Sequence, residues 1–286
     1  METIKKQEIV IALKEYCNRY ESQNRAAATL KGVSAATVSQ MLNGNWEMIK
    51  DEMWRNVATQ IGYKAARWEA VETTNYKQMM FLLEDVQQNS LVMAITGDAG
   101  TGKTFACKQY ISRHSNAYML CCNEYWNRKV FLTELLTALG RDYTGYTVSE
   151  MMQEAVRYLK IKDRPLIILD EADKLSDQVF YFFITLYNQL EDECGIVLCA
   201  TDHLEKRIKR GIKLNKKGYN EIWSRLGRRC VSLKGITASD IVKICEANGI
   251  DNNKDIDAVV DDSESDLRRV KRKVHALTRK SERRAA

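Results

Sequence analysis

The sequence predicts an α/β fold: a parallel sheet covered on both faces by helices, with an N-terminal helix-turn-helix domain and a small C-terminal helical domain. Three observations lead there. Apolar runs at 91–96, 117–122, 166–169 and 195–200 alternate with longer stretches of helical periodicity, the pattern of strands buried on both faces. The first run feeds a glycine-rich loop, Gly97-Asp98-Ala99-Gly100-Thr101-Gly102-Lys103-Thr104, and the third ends in the acid pair Asp170-Glu171. These features divide the chain at 1–70, 71–234 and 235–286.

Composition bounds the reading. The 286 residues, 45% hydrophobic and 29% charged, suffice for two or three folded domains. No run of about 18 apolar residues could span a bilayer, and the N-terminal residues lack the apolar core of a secretion signal, so a cytoplasmic protein without a membrane segment is expected. The eight cysteines form no C-x-x-C pair and read as reduced core residues, and the three histidines lack ligand spacing. The net charge is only +6, but it is segregated: residues 206–229 hold ten Lys/Arg against one Glu, and residues 76–205 hold twelve against eighteen acids. Such segregation predicts contact with a polyanion on one face, with a solvated basic loop as the competing reading.

In residues 1–75, Ile9, Val10, Leu13 and Tyr16 recur at helical spacing and predict a first helix. The stretch 24–44 has the layout of a helix-turn-helix, with Ala28 small at the helix crossing, Gly32 in the turn and Ser34 as N-cap. Val38 and Met41 pack the second helix inward, and Asn43-Gly44 stops it. Gln40 and Asn43 would face outward, where they could hydrogen-bond base edges. That helix carries no Lys or Arg, so weak binding with little sequence discrimination is expected; a small helical domain for protein contacts is the competing reading. Trp46, Trp54 and Trp68 read as packing residues, and residues 66–76 as a connector.

In residues 76–234, strand, loop 97–104 and helix 104–113 compose a phosphate cradle. Its backbone N–H groups converge on an anion, aided by the N-terminus of the next helix. Lys103 would reach the β- and γ-phosphates and Thr104 would hold Mg²⁺. Helices follow at 131–139 and 148–159, and then the strand Leu166-Ile167-Ile168-Leu169 delivers Asp170 and Glu171. At the carboxyl end of a strand beside the loop, Asp170 would support Mg²⁺ through water and Glu171 would polarise the attacking water. After a helix at 177–190, strand 195–201 ends at Thr201, placed to sense the γ-phosphate, with Asp202 as the near alternative. The basic stretch 206–217, Ser224-Arg225 and a final strand at 230–233 complete this part.

In residues 235–286, Thr237-Ala238-Ser239-Asp240 resembles a capping box with Asp in place of Glu or Gln. An acidic segment, 251–266, then meets a basic one, 267–286, whose tail from Lys271 to Arg284 could touch DNA or a partner protein or be a solvated end.

The ordered set GDAGTGKT, LIILDEAD, a strand ending in Thr201 and Ser-Arg before a last strand resembles the AAA+ ATPases, a P-loop NTPase family. An N-terminal helix-turn-helix on a short AAA+ module resembles, within that class, the transposition B proteins of phage Mu and its prophage relatives. The resemblance implies ATP and Mg²⁺ as cofactors, with nucleotide held by residues 97–104 and metal by Thr104 and Asp170. It makes Lys103, Glu171 and Thr201 catalytic-site residues and Arg225 the arginine finger reaching a neighbouring subunit, with Arg228 and Arg229 as alternatives. Ser265-Asp266-Leu267-Arg268 resembles a lid helix whose Arg268 touches nucleotide. The resemblance further implies an ATP-dependent helical homo-oligomer on double-stranded DNA and a transposase partner. Arg128, Lys129 and Lys174, in loops after two strands, are the expected channel-facing contacts, and the further basic segment with Lys206, Arg207, Lys209 and Arg210 could face DNA or a neighbouring subunit. A helicase loader or initiator, and a nucleotide-switched helix-turn-helix regulator, share enough of these features to stand as alternatives.

Overall fold

The computed structural model describes residues 3–18, 20, 22–63 and 68–285, the side chains of 3–5 and 281–285 excepted. It divides into two compact units, Met1–Glu69 and Ala70–Ala286; residues 66 and 67 of the expected connector lie outside the described residues.

The first unit is helical: α1 (Thr3–Cys17), α2 (Gln23–Ala28), α3 (Ala35–Leu42) and α4 (Asp51–Gln60). Ile9, Leu13 and Cys17, four residues apart, form one buried stripe that meets Ala26, Ala27, Val38, Met41 and Trp54. Ser34 caps α3 by accepting the Thr37 N–H at 3.0 Å, and Gly32 and Gly44 take the left-handed conformations of turn and stop. One expectation fails. Ala28 is exposed, and the small residues on the buried face are Ala26 and Ala27, because a helix that starts at Gln23 turns 26, 27 and 30 inward together. Trp46 and Trp54 meet edge to face at 5.6 Å, as packing residues. Gln40 and Asn43 are both exposed, with the Asn43 amide donating to Ser39 Oγ at 3.2 Å.

The second unit is built on a five-stranded sheet: β1 (Val92–Thr96), β2 (Ala117–Cys121), β3 (Leu166–Asp170), β4 (Gly195–Ala200) and β5 (Cys230–Ser232). Every pairing is parallel, and the order is β2-β3-β4-β1-β5. Its apolar runs have two faces. Ile167, Leu169, Ile196 and Leu198 join one core, and Leu166, Ile168, Val197 and Cys199 the other, the alternation a strand covered on both sides requires. Covering the first face are α7 (Arg128–Ala138), α8 (Val148–Lys160), α9 (Asp177–Leu190), α10 (His203–Lys213) and α11 (Tyr219–Arg225). On the second face lie α5 (Thr74–Gln88) and α6 (Lys103–Arg113). Full burial of each such aliphatic contributes about 1.5–3 kcal/mol.

The chain leaves β1 through α6 and crosses past β4 and β3 to lay down β2. The carboxyl ends of β1, β4 and β3 thus lie side by side, on the edge where sheets of this kind bind ligands. Three helices follow β5: α12 (Ala238–Ala247), α13 (Asn253–Asp262) and α14 (Leu267–Ala285). The capping box at Thr237 and Asp240 is present. Asp240, buried, also accepts the Thr74 N–H at 3.0 Å and the Thr74 hydroxyl at 3.2 Å, stitching α12 to the start of α5. Among the described residues no helix is long and apolar enough to cross a membrane.

Candidate active site and basic helix

Loop 97–102 curls through two left-handed glycines, Gly100 (φ +82°) and Gly102 (φ +94°), the second of which starts α6. A Cβ on Gly100 would meet the Asp266 carboxylate at 1.9 Å, so this position needs glycine for space as well as conformation. Within the curl Lys103 Nζ donates to the carbonyls of Gly97 (2.6 Å) and Asp98 (2.9 Å) and to Thr101 Oγ1 (3.2 Å). Burial holds the Lys103 ammonium below the usual lysine range, against the opposing pull of Asp170, Asp173 and Asp98. Its partners are two backbone carbonyls and a hydroxyl, none of them carrying a net charge, so an anion in the loop can compete for the ammonium.

At the end of β3, Asp170 Oδ2 accepts the Thr104 hydroxyl at 2.7 Å. Burial raises the Asp170 carboxyl above its ordinary range, the Thr104 and Glu171 hydrogen bonds working the other way. Two oxygen donors on a desolvated carboxylate and a hydroxyl are the donor set a hard divalent cation takes, and a cation would reverse the burial penalty. Mg²⁺ therefore fits Thr104 and Asp170.

Glu171 occupies the left-handed region at φ +55°, unusual for a side chain of its length, and a strained backbone of this sort is found at functional positions. That kink turns the chain out of β3 and leaves the carboxylate partly exposed, with Oε2 accepting Lys174 Nζ at 2.6 Å. Thr201, at the end of β4, donates its hydroxyl to Asp173 Oδ2 at 2.6 Å, and Asp202 is exposed at the start of α10. Lys103, Thr104, Asp170, Glu171 and Thr201 thus gather at the carboxyl edge of the sheet.

Arg225 ends α11, folded against α9. Its guanidinium donates to Asn188 Oδ1 at 2.8 and 3.0 Å, pairs with Glu221 at 3.0 Å and stacks on Tyr187. Arg228 and Arg229 are exposed beyond the helix. Arg268 lies in the first turn of α14, one residue after Leu267, whose N–H donates to Gly100 O at 3.0 Å. The start of α14 therefore rests on loop 97–102 by its backbone.

Several basic positions depart from expectation. Arg128 and Lys129 are exposed, but they open α7 instead of lying in a loop, because Asn127 caps the helix by accepting the Val130 N–H. Lys174 closes the 3-10 turn Ala172–Lys174 and is paired with Glu171. In α10 the cations divide by face. Arg207 turns inward to Asp177 and Lys209 pairs with Glu205 at 2.6 Å, whereas Lys206 and Arg210 are exposed together with Lys213, at i, i+4 and i+7. Arg207 is thereby removed from any open basic surface, and Lys213 is added to it.

Three residues of the site escaped the sequence reading. Asp173, third acid of the D-E-A-D run, holds Thr201; its place in that run was the available signal. Asn75, buried at the start of α5, donates to Lys234 O at 2.7 Å and Thr101 O at 3.4 Å. Asp266 abuts Gly100 and accepts the Arg268 N–H at 2.7 Å. Of the eight cysteines, all reduced, six are buried as expected, Cys230 is partly buried and Cys121 is exposed within 3.8 Å of Glu171.

Residues 86–208 match the AAA domain family. The chain is 23% identical over 257 residues to the Mu-like prophage FluMu DNA transposition protein B of Haemophilus influenzae, covering 86% of this chain and 87% of that protein. It is 22% identical to the ATP-dependent target DNA activator B of Escherichia phage Mu and 21% identical to that of Escherichia phage D108, each covering 87% of this chain and 80% of the relative. Loop, paired acids and parallel sheet thus belong to an AAA domain of α/β P-loop NTPase fold, carried in a chain that resembles the transposition B proteins of Mu-like phages.

Proposed function

We propose that this protein is an ATP-hydrolysing, Mg²⁺-dependent AAA ATPase of DNA transposition, which oligomerises on double-stranded DNA with little sequence preference and delivers it to a transposase. The observation that carries the nucleotide half is the 2.7 Å contact of Thr104 with Asp170 beside Lys103, which joins the loop and the paired acids, 66 residues apart, into one site. The DNA half rests on likeness to proteins named as target DNA activators and on the exposed cations of α10.

Lys103 would exchange loop carbonyls for the β- and γ-phosphates, and the N–H groups of residues 100–104 would receive the remaining charge. Mg²⁺, held through Thr104 and Asp170, would neutralise charge on the phosphate oxygens. Glu171, once its carboxylate leaves Lys174, would accept a proton from the attacking water, and Thr201, oriented by Asp173, would hold that water or a γ-phosphate oxygen. Arg225 would complete the site of a neighbouring subunit, and Arg268 would touch nucleotide from the lid. Lys206, Arg210 and Lys213, with Arg128 and Lys129, would contact DNA phosphates, while Gln40 and Asn43 would add weak base-edge contacts from the N-terminal helix-turn-helix.

Sedimentation with duplex DNA, with and without ATP, tests this reading. Wild type is expected to form a fast-sedimenting complex only with ATP, and Glu171→Gln to form it and keep it. No ATP-dependent complex would overturn the oligomer on DNA. A strand-transfer assay tests the partner: stimulation of a cognate transposase is expected, and its absence excludes the transposition role.

A further inference from the structure

Arg207 was expected on a DNA-facing surface, and its actual surroundings give it another task. Its Nη2 donates to Asp177 Oδ1 at 2.6 Å, its Nη1 to the carbonyls of Leu175 (2.5 Å) and Asp173 (3.2 Å), and its Nε to the Tyr219 hydroxyl at 3.1 Å. The guanidinium lies over the Phe180 ring at 5.1 Å. Tyr219 in turn donates to Asp177 Oδ1 at 2.7 Å. The Tyr219 ring has little freedom, since a Cβ on Gly211 of α10 would come within 2.4 Å of it.

Two grips on α9 follow. Tyr219, first residue of α11, is held through Asp177, first residue of α9. Arg225, last residue of α11, is held through Asn188 and Tyr187 near the other end of α9. A helix of seven residues cannot hold its own direction. Where Arg225 points is therefore decided by what grips the two ends of α11. On its other side Arg207 bonds the carbonyl of Asp173, the residue whose carboxylate holds Thr201. A continuous chain of hydrogen bonds runs from Thr201, at the phosphate end of the sheet, through Asp173, Arg207 and Tyr219 to the helix that carries Arg225.

We infer that Arg207 is a positioning residue for Arg225: it fixes the start of α11 against the Thr201–Asp173 pair, so that the Arg225 guanidinium is delivered in register to a neighbouring subunit's nucleotide. The inference rests on the intersubunit reading of Arg225 proposed above. Its planar fork suits the task, because four donor bonds to fixed acceptors orient a guanidinium where an ammonium would pivot.

The test is turnover by mixed assemblies on duplex DNA. Arg225→Ala, Arg207→Gln and Tyr219→Phe are each assayed alone and mixed with an equal amount of Glu171→Gln, which has a disabled site and an intact Arg225. Alone, Arg207→Gln and Tyr219→Phe should lose about 10- to 100-fold in kcat, the cost of a misplaced group, with KM for ATP within about 2-fold. In the mixtures about one quarter of head-to-tail interfaces pair a competent site with an intact finger, and turnover should recover toward that fraction of wild type. Tyr219→Phe, which removes one hydroxyl from a packed ring, separates positioning from any folding defect of Arg207→Gln. Recovery by Arg225→Ala but by neither network variant overturns the inference, because the damage would then lie in each variant's own site. Full turnover of both variants alone overturns it too. If Arg225→Ala itself fails to recover, the intersubunit reading falls, and this inference with it.

Discussion

Asp170 and Asp177 stand seven residues apart, on either side of one 3-10 turn, and their carboxyl groups are displaced in opposite directions. Asp170 is buried at the end of β3 with one hydroxyl donor, and burial raises it. Asp177 opens α9, partly exposed, and takes hydrogen bonds from Tyr219, Lys216 and Arg207 that lower it to about 2. One carboxylate lacks the positive charge its burial calls for, and the other is surrounded by it. A bound cation would relieve the first, whereas the second already holds helices together. The same contrast separates Lys103, bonded to loop carbonyls an anion can replace, from Arg207, committed to partners that stay.

Substitutions on the two sides of this contrast should fail differently. The largest effect belongs to the receiving side. Glu171→Gln should lower single-turnover hydrolysis by about 10²–10⁴-fold, the worth of a general base, with ATP affinity measured by fluorescence titration retained. On the DNA side, neutralising Lys206, Arg210 and Lys213 together should reduce the slope of log K against log salt by about 2.7 if each meets one phosphate. Binding isotherms between 50 and about 200 mM salt measure it, and an unchanged slope removes α10 from the DNA surface.

The smallest effects are on stability, and their signs should oppose. The Asp170 carboxyl is raised on folding, so its ionisation opposes folding: its contribution is favourable at low pH and is lost as pH rises through its folded value. Asp170→Asn should therefore raise Tm at pH 7, and the gain should vanish in acid. For Asp177, lowered from 3.8 to about 2, the contribution is present above about pH 4 and lost as pH falls toward 2. Asp177→Asn should cost at most about 1 kcal/mol at neutral pH, given solvent screening of a half-exposed side chain, a cost that falls away as pH drops through about 2. Thermal melts of both variants at a series of pH values measure the two signs.

How legible each side was follows from the same physics. Residues 97–104 and 166–171 could be read because their work is done by backbone shape and strand ends, which glycine spacing and apolar runs report directly. The faces of α10 could not. Lys206 and Arg207 are identical to a charge count, yet the 100° rotation between successive helical residues sends the first to solvent and the second to Asp177. Asp266 was invisible for another reason: its neighbour Gly100 lies 166 residues earlier, and no local pattern links them. Ala28 erred by a single position, the least a helical register can slip and still invert a face.

The backbone contact between Leu267 and Gly100 makes the last helix a lever with its fulcrum on the phosphate loop. At 1.5 Å per residue, the 19 residues of α14 reach about 28 Å from that point. A tilt of about 10° at the fulcrum moves the far end by about 5 Å, roughly the width of one helical turn.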